Sequence, residues 1–158
     1  MTVRHYLQMS SPLGQLMLYA SDEALTEVRW SESKTETEAD KSTNNALLIE
    51  AAKQLSAFFL GTLRDFDLPL APKGTVFQQR VWEALSRQEF GTFTTYGDLA
   101  KRIGNPKAAR AVGGAVGANP LPIIIPCHRV LGAGGAIGGF SGGLARKLTL
   151  LAIEGIGE

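Results

Sequence analysis

Cysteine is almost absent from this 158-residue sequence: Cys127 stands alone, which excludes an internal disulfide. One cysteine and two histidines make a structural zinc site improbable on residue supply alone. Long apolar runs are missing as well. The longest, around Leu121 to Pro126, falls far short of the ~18 residues that a membrane span needs. Met1 to Ala20 mixes Arg4, His5 and Gln8 with its apolar residues, so it lacks the continuous core of a secretory signal. A free thiol without an export signal predicts a reducing cytoplasm. Disorder is excluded too, because 44% hydrophobic and 20% charged residues suit one compact domain or two small lobes.

What is present is distributed unevenly. The net charge of +1 hides a split: six basic and ten acidic residues before Lys73 give −4, and ten basic and five acidic from there on give +5. An acidic first half and a basic second half predict that an anionic partner meets the second half. Of the 18 glycines, 15 fall at or after Gly91, where backbone must turn sharply or something must approach it closely. A boundary is expected at Leu68-Pro69-Leu70-Ala71-Pro72, which its prolines hold extended. The expected lobes are therefore 1–72 and 73–158.

The pattern predicts an α+β fold. Val3 to Met9, Leu13 to Ala20 and Ala24 to Trp30 read as a three-stranded antiparallel meander, punctuated by Ser11-Pro12 and Ser21-Asp22. Ser31 to Asn45 is polar and reads as a surface loop. Asn44 or Asn45 can cap a helix running to Leu60, with Leu47, Leu48, Ala51, Ala52, Leu55, Phe58 and Phe59 on one face and Gly61 as its stop. The second half is mainly helical. Thr75 with Gln78 fits a capping box opening a helix whose inner face is Phe77, Val81, Trp82 and Leu85. Tyr96 to Ile103 is a short helix closed by Gly104. Asn105-Pro106 supplies a cap and a first-turn proline for a second, running to about Gly117. The pair has helix-turn-helix spacing. Leu121 to Pro126 is expected to be extended and Gly132 to Gly143 to be a loop. Gly143 to Glu154 is a closing helix with Leu144, Leu148, Leu151 and Ala152 inward.

The second helix of the pair, Lys107 to Ala115, has few side chains able to read base edges in a major groove. Its small residues either pack closely against a neighbouring helix or let backbone press into a narrow groove, with Arg110 as the one long side chain projecting. Lys101, Arg102, Lys107 and Arg110 add charge for phosphates. A lone cysteine is ordinarily a small buried hydrophobe. Cys127, however, lies between Pro126 and His128-Arg129. These neighbours, with a helix N-terminus after Pro126, predict a lowered thiol pKa. His128 is an available base, and Glu154 the carboxylate that could orient it, unless Glu154 is simply a surface charge at a helix end.

These residues carry a resemblance. Ile125-Pro126-Cys127-His128-Arg129-Val130 is similar to the active-site signature of the O6-alkylguanine-DNA alkyltransferases. The match extends through Tyr96, the Gly104 to Gly113 segment, Asn119-Pro120 and Ser141-Gly142-Gly143-Leu144 to Glu154-Gly155. The resemblance implies single-turnover transfer of an alkyl group from O6 of guanine to Cys127, with O4-alkylthymine as a second candidate lesion. It implies that a water, His128 and Glu154 deprotonate the thiol, that Asn119 buttresses them, and that Tyr96 donates toward guanine N3. The carbonyls at Cys127 and Val130 would accept from the exocyclic amine, and the Ser141 N–H would face O6. The loop Ile137 to Gly143, with Phe140 and Gly142, would wall the pocket. Arg110 would replace a flipped base. Ala109, Ala111, Gly113, Lys107 and Arg102 would meet the minor groove of duplex DNA with weak sequence preference. No cofactor and no metal are implied, no membrane is involved, and a monomer is expected.

The sequence departs from the family's usual pattern at Phe140, where a tyrosine is common, and at Thr149, where a tryptophan is common. The zinc ligands of some members' first lobe are missing. A non-catalytic binder of alkylated DNA would lack the cysteine. A helix-turn-helix regulator would want polar side chains over Ala108 to Val116. A thiol hydrolase or redox sensor leaves Arg110, Asn119 and the basic half unexplained.

Overall fold

The computed structural model describes residues 5–31, 45–135, 137, 140 and 142–156. The chain separates into two compact units, Met1–Pro72 and Lys73–Glu158.

The first unit is an antiparallel sheet of β1 (His5–Ser11), β2 (Gly14–Ala20) and β3 (Leu25–Trp30), in that order. The turn at Pro12-Leu13 is closed by Ser11, whose hydroxyl donates to the Gly14 carbonyl and accepts from the Leu13 N–H. This pairing runs from His5 opposite Ala20 to Ser11 opposite Gly14, so β1 extends two residues beyond the expected Met9. The expected start at Val3 lies outside the described residues, as does most of the polar stretch after Ser31. Middle strand β2 is buried from Leu16 through Ala20. Helix α1 (Ala46–Phe59) packs on the sheet through Leu48, Ala51, Leu55 and Phe58, while Leu47, Ala52 and Phe59 are only half-buried. Asn45 caps it by accepting from the Leu48 N–H at 2.9 Å. The proline-rich segment then returns beside β3, with Leu25 N–H donating to Pro69 and Ala71 N–H donating back to Leu25.

The second unit opens on α2 (Val76–Ser86), whose capping box is formed by Thr75 and Gln78. Val81, Trp82 and Leu85 are its buried face, and Phe77 is half-buried. Gly74 must be glycine here, since a Cβ would sit 2.5 Å from the Trp82 ring. The Trp82 indole N–H donates to the Ala115 carbonyl at 2.8 Å, tying α2 to α4 (Ala109–Gly117). Between them lie β4 (Thr94–Thr95) and α3 (Tyr96–Arg102). Thr95 caps α3 through the Asp98 N–H, and Gly104, at φ +83°, stops it.

Three sequence expectations are corrected in this unit. The recognition-like helix begins at Ala109 rather than after Asn105. Asn105 and Ala108 close a turn, and the α-helical hydrogen-bond ladder starts with Val112 N–H donating to Ala108. Leu121 to Pro126 is not extended. Ile125 N–H donates to Leu121 and Cys127 N–H to Ile125, with Ile123 at φ +77°. The closing helix α5 (Leu144–Ile153) buries Leu151 as expected but otherwise a different face. Lys147, Leu150 and Leu151 point inward, with Glu154 at the C-cap, while Leu144 and Leu148 are about half exposed and Ala152 is exposed. The inward set follows helical spacing, i, i+3, i+4 and i+7. Its two ends are charged, so a purely apolar template selects the wrong stripe.

Candidate active site

Cys127 opens a single 3₁₀ turn, Cys127–Arg129, followed by β5 (Val130–Leu131). β5 pairs in parallel with β4, Thr94 opposite Val130 and Thr95 opposite Leu131. This two-residue ladder brings the start of α3, and so Tyr96, beside the cysteine turn. The turn is held from within by Asn119. Its amide donates to Ile125 O at 2.8 Å, and its carbonyl accepts from Leu121 N–H at 2.9 Å. Those two bonds span the segment containing Ile123, whose positive φ is strained for a β-branched residue. A side chain buried and bonded at both ends of its amide is the physical cause of that unusual backbone.

The thiol is buried, and burial pushes it up to about 11. A hydrogen bond from Asn119, backbone hydrogen bonds at Cys127 and Ile123, and the charge of Lys147 all pull the other way. The expected lowering of this thiol is therefore corrected. One 3₁₀ turn lacks the aligned amides of a helix N-terminus, and desolvation of an anion dominates. His128 does not supply a fixed positive charge either. Burial holds its imidazole below its ordinary range, against the raising effect of Glu154.

Glu154 is fully enclosed rather than a surface charge. It accepts from His128 Nε2 at 2.6 Å, from Arg129 Nε at 2.9 and 3.0 Å, and from the Gly91 N–H at 3.0 Å. Burial alone would raise this carboxyl, yet the bonds from His128 and Arg129 outweigh it and keep the group below the usual carboxylate range. An ionised Glu154 can only accept, so His128 carries its proton on Nε2 and its basic lone pair on Nδ1. Arg129 also donates to the Gln88 carbonyl, and its guanidinium lies over the Phe90 ring.

Tyr96 is half-buried, and burial together with the Cys127 charge keeps its phenol above the ordinary range. Its ring lies 3.8 Å from the position a Cβ would take on Gly113. Arg110 is exposed on the first turn of α4, with Lys107 and Ala111 exposed and Ala109 and Gly113 half-buried. Arg102 is exposed and donates to Gln88 Oε1 and to the Ala84 carbonyl. The Val130 carbonyl is likewise engaged: Lys147 Nζ donates to it at 2.7 Å. Phe140 and Gly142 are half-buried, and Ser141 lies outside the described residues. Thr149 turns its hydroxyl onto its own helix, donating to Ala145.

Sequence reasoning missed Arg129, Gly91 and Lys147. Arg129 stood in the motif and was read only as a charge near the thiol. Nothing in the sequence separates Lys147 from a solvated lysine, because its burial depends on which way α5 faces. Among the described residues, no group of three His, Cys, Asp or Glu side chains could hold a metal ion, and no helix is long and apolar enough to cross a membrane.

Two family models cover nearly the whole chain. Residues 76–156 match the 6-O-methylguanine DNA methyltransferase DNA binding domain, and residues 4–72 match the ribonuclease-like domain of the same family. A methylated-DNA–protein-cysteine methyltransferase of Methanosarcina acetivorans is 46% identical over 153 residues, covering 96% of this chain and 98% of that protein. A protein of the same name from Haemophilus influenzae is 42% identical, covering 99% of this chain and 89% of that one. The fold is similar to that of Mycobacterium tuberculosis OGT in complex with DNA. The TM-score is 0.86 at 45% identity, over 95% of this chain and 92% of that one.

Proposed function

From the premise that this chain belongs to the 6-O-methylguanine DNA methyltransferase family, we propose how its own residues perform that chemistry. The protein repairs DNA by moving an alkyl group from O6 of guanine onto a cysteine of its own. Cys127 is that cysteine, the only one in the chain. The observation that carries this reading is the buried Cys127–Asn119 turn set beside a His128–Glu154 pair already fixed in the tautomer a base requires.

The thiol proton passes through a water to His128 Nδ1, and Glu154 stabilises the imidazolium that results. The thiolate attacks the alkyl carbon as the carbon–O6 bond breaks, and the electron pair leaves with the purine. Tyr96, whose raised phenol keeps its proton at neutral pH, gives it to N3 of the departing base and regains one from solvent. The product thioether is a very poor leaving group, so each molecule works once. A thiol held near 11 stays protonated until the relay takes its proton, which spares it from adventitious alkylation.

The lesion lies inside a duplex and must be flipped out. Arg110, exposed at the start of a helix rich in Ala and Gly, fills the vacated stack from the minor groove. Lys107 adds phosphate contact. Arg102, held by Gln88 and Ala84, steadies the loop after α2 while carrying its charge near the surface. A thiol that must stay reduced until it meets DNA suits the cytoplasm, and the protein works as a monomer. A lesion sensor would leave the Cys127 machinery idle.

Intact and peptide mass spectrometry after mixing with a duplex bearing one O6-methylguanine tests this. One methyl on the Cys127 peptide, stoichiometric and without turnover, is expected, and Cys127→Ser should bind DNA without transfer. Tight binding with Cys127 unmodified would make the protein a sensor instead.

A further inference from the structure

Arg102 is exposed at the end of α3, yet its guanidinium is turned back onto the protein. One nitrogen, Nη2, donates to the Ala84 carbonyl at 2.9 Å, placing a cation at the end of α2, whose last turn has no basic residue. Capping that helix needs no more. The other nitrogen, Nη1, donates at 2.8 Å to Oε1 of Gln88, beyond the helix end. On the far side of the same amide, Nε2 donates to the Thr92 hydroxyl at 2.7 Å, and that hydroxyl donates to the Glu89 carbonyl at 2.7 Å. The Gln88 side chain thus closes the 88–92 loop on itself and attaches it to α3.

The main chain of this loop faces the buried network. The Gln88 carbonyl accepts from Arg129 Nη1, and the Gly91 N–H donates to Glu154 Oε1 at 3.0 Å. These two groups grip the Arg129–Glu154 pair, one on the cation and one on the carboxylate. Glu154 in turn accepts from the His128 ring at 2.6 Å. A continuous set of hydrogen bonds therefore runs from Arg102 at the surface, through one side-chain amide and one loop, to the imidazole beside Cys127. Gly91 sits at φ +81°, which glycine adopts freely and which gives the loop no stiffness of its own. The clips at Gln88 supply it.

We propose that Arg102 and Gln88 are positioning residues for the proton relay: together they hold the 88–92 loop in the shape that presents the Gln88 carbonyl to Arg129 and the Gly91 N–H to Glu154. This rests on His128 and Glu154 being the relay. A positive charge at Arg102 is not sufficient, because a forked guanidinium holds two acceptors at a set separation and a lysine ammonium does not. The first turn of α3, which carries Tyr96, is held separately by the β4–β5 pairing and the Thr95 cap. Loosening Arg102 therefore acts on the loop before it acts on Tyr96.

The test uses the full-length protein and O6-methylguanine as the free base. This substrate has no phosphates and needs no flipping, so loss of a DNA contact cannot lower its rate. Single-turnover rates are followed against base concentration for wild type, Arg102→Ala, Gln88→Ala, the double variant, Arg102→Lys, Gln88→Glu and Glu154→Gln. Each alanine variant should lower the limiting first-order rate by about fivefold or more and leave the half-saturating concentration unchanged. A smaller folded fraction would change the amplitude and not this rate. The double variant should be no slower than Gln88→Ala alone, because both changes break the same bond. Arg102→Lys keeps the charge without the fork and should stay slow, while Gln88→Glu keeps an acceptor for Arg102 and should recover part of the rate.

Free-base rates at the wild-type level in both alanine variants overturn the proposal and leave Arg102 a helix cap that meets phosphate. So does a double variant whose loss is the product of the two single losses, or an Arg102→Lys variant as fast as wild type. Glu154→Gln judges the relay itself. Should it react like wild type, the relay and the proposal fall together; a slow Glu154→Gln beside unimpaired alanine variants overturns the proposal alone.

Discussion

Glu154 is the residue on which most of the buried polar structure converges. Four hydrogen bonds reach it from two separate points of the chain, His128 and Arg129 of the cysteine turn and Gly91. Removing its charge leaves the Arg129 guanidinium buried without a counter-ion, which costs about 3–5 kcal/mol. Glu154→Gln should therefore lower stability by about that amount in urea unfolding, and should also slow transfer beyond what the loss of folded protein explains. An unchanged unfolding midpoint would mean that Arg129 finds another partner. The pH dependence follows from the same network. Glu154 is depressed in the folded state, so its contribution is present at neutral pH and is lost as pH falls through its folded value. His128 is also depressed, so below its ordinary range the unfolded chain takes up a proton that the folded one refuses. Both effects have the same sign. Thermal melts from pH 7 to pH 4 should show a steady decline, and a flat profile would contradict the protonation states assigned here.

Among the elements, α4 is a poor helix by composition, with three glycines in nine residues and no side-chain cap. Each interior glycine costs roughly 0.5–1 kcal/mol relative to alanine. The helix persists because Val112, Ala115 and Val116 are buried and Trp82 bonds the Ala115 carbonyl. Small residues keep its outer surface low, and Arg110 is the long side chain that rises from it. Arg110→Ala should reduce transfer from duplex DNA much more than from a free-base analogue, where no flipping is needed. Single-turnover rates on both substrates decide this, and equal losses would remove the finger role. Helix α5 is the complementary case. Its outer leucines, Leu144 and Leu148, are half exposed while a lysine and a glutamate point inward. The charges are tolerated there because each meets partners fixed by the cysteine turn.

Across the whole molecule, charge is segregated along the chain, −4 before Lys73 and +5 after it. The basic half is the half that carries Arg110, Lys107 and the cysteine. Contacts with phosphates release counterions, so binding to undamaged duplex should weaken steeply with salt, by about 0.9 log units per log unit of salt for each phosphate neutralised. Fluorescence anisotropy from 50 to 300 mM salt measures the slope. A slope near zero would mean that the basic half does not face the backbone.

The three-stranded meander, the capping box at Thr75 and the presence of the main helices were legible in the sequence, and Asn45 is one of the two caps it offered for α1. Each depends on local spacing or on a residue type with a specific backbone or chemical role. Local patterns could not reveal what nonlocal contacts impose. The parallel pairing of Thr94–Thr95 with Val130–Leu131 has no sequence signature, being only two residues long. The tight turn at Leu121 to Pro126 exists because Asn119 bonds across it, and its apolar residues alone resemble a strand. The buried face of α5 and the direction of the Cys127 shift were decided by burial. Neighbours in sequence supply charges, but how far water is excluded from a thiol or an ammonium is set by the packed fold, and desolvation there outweighs the nearby charge.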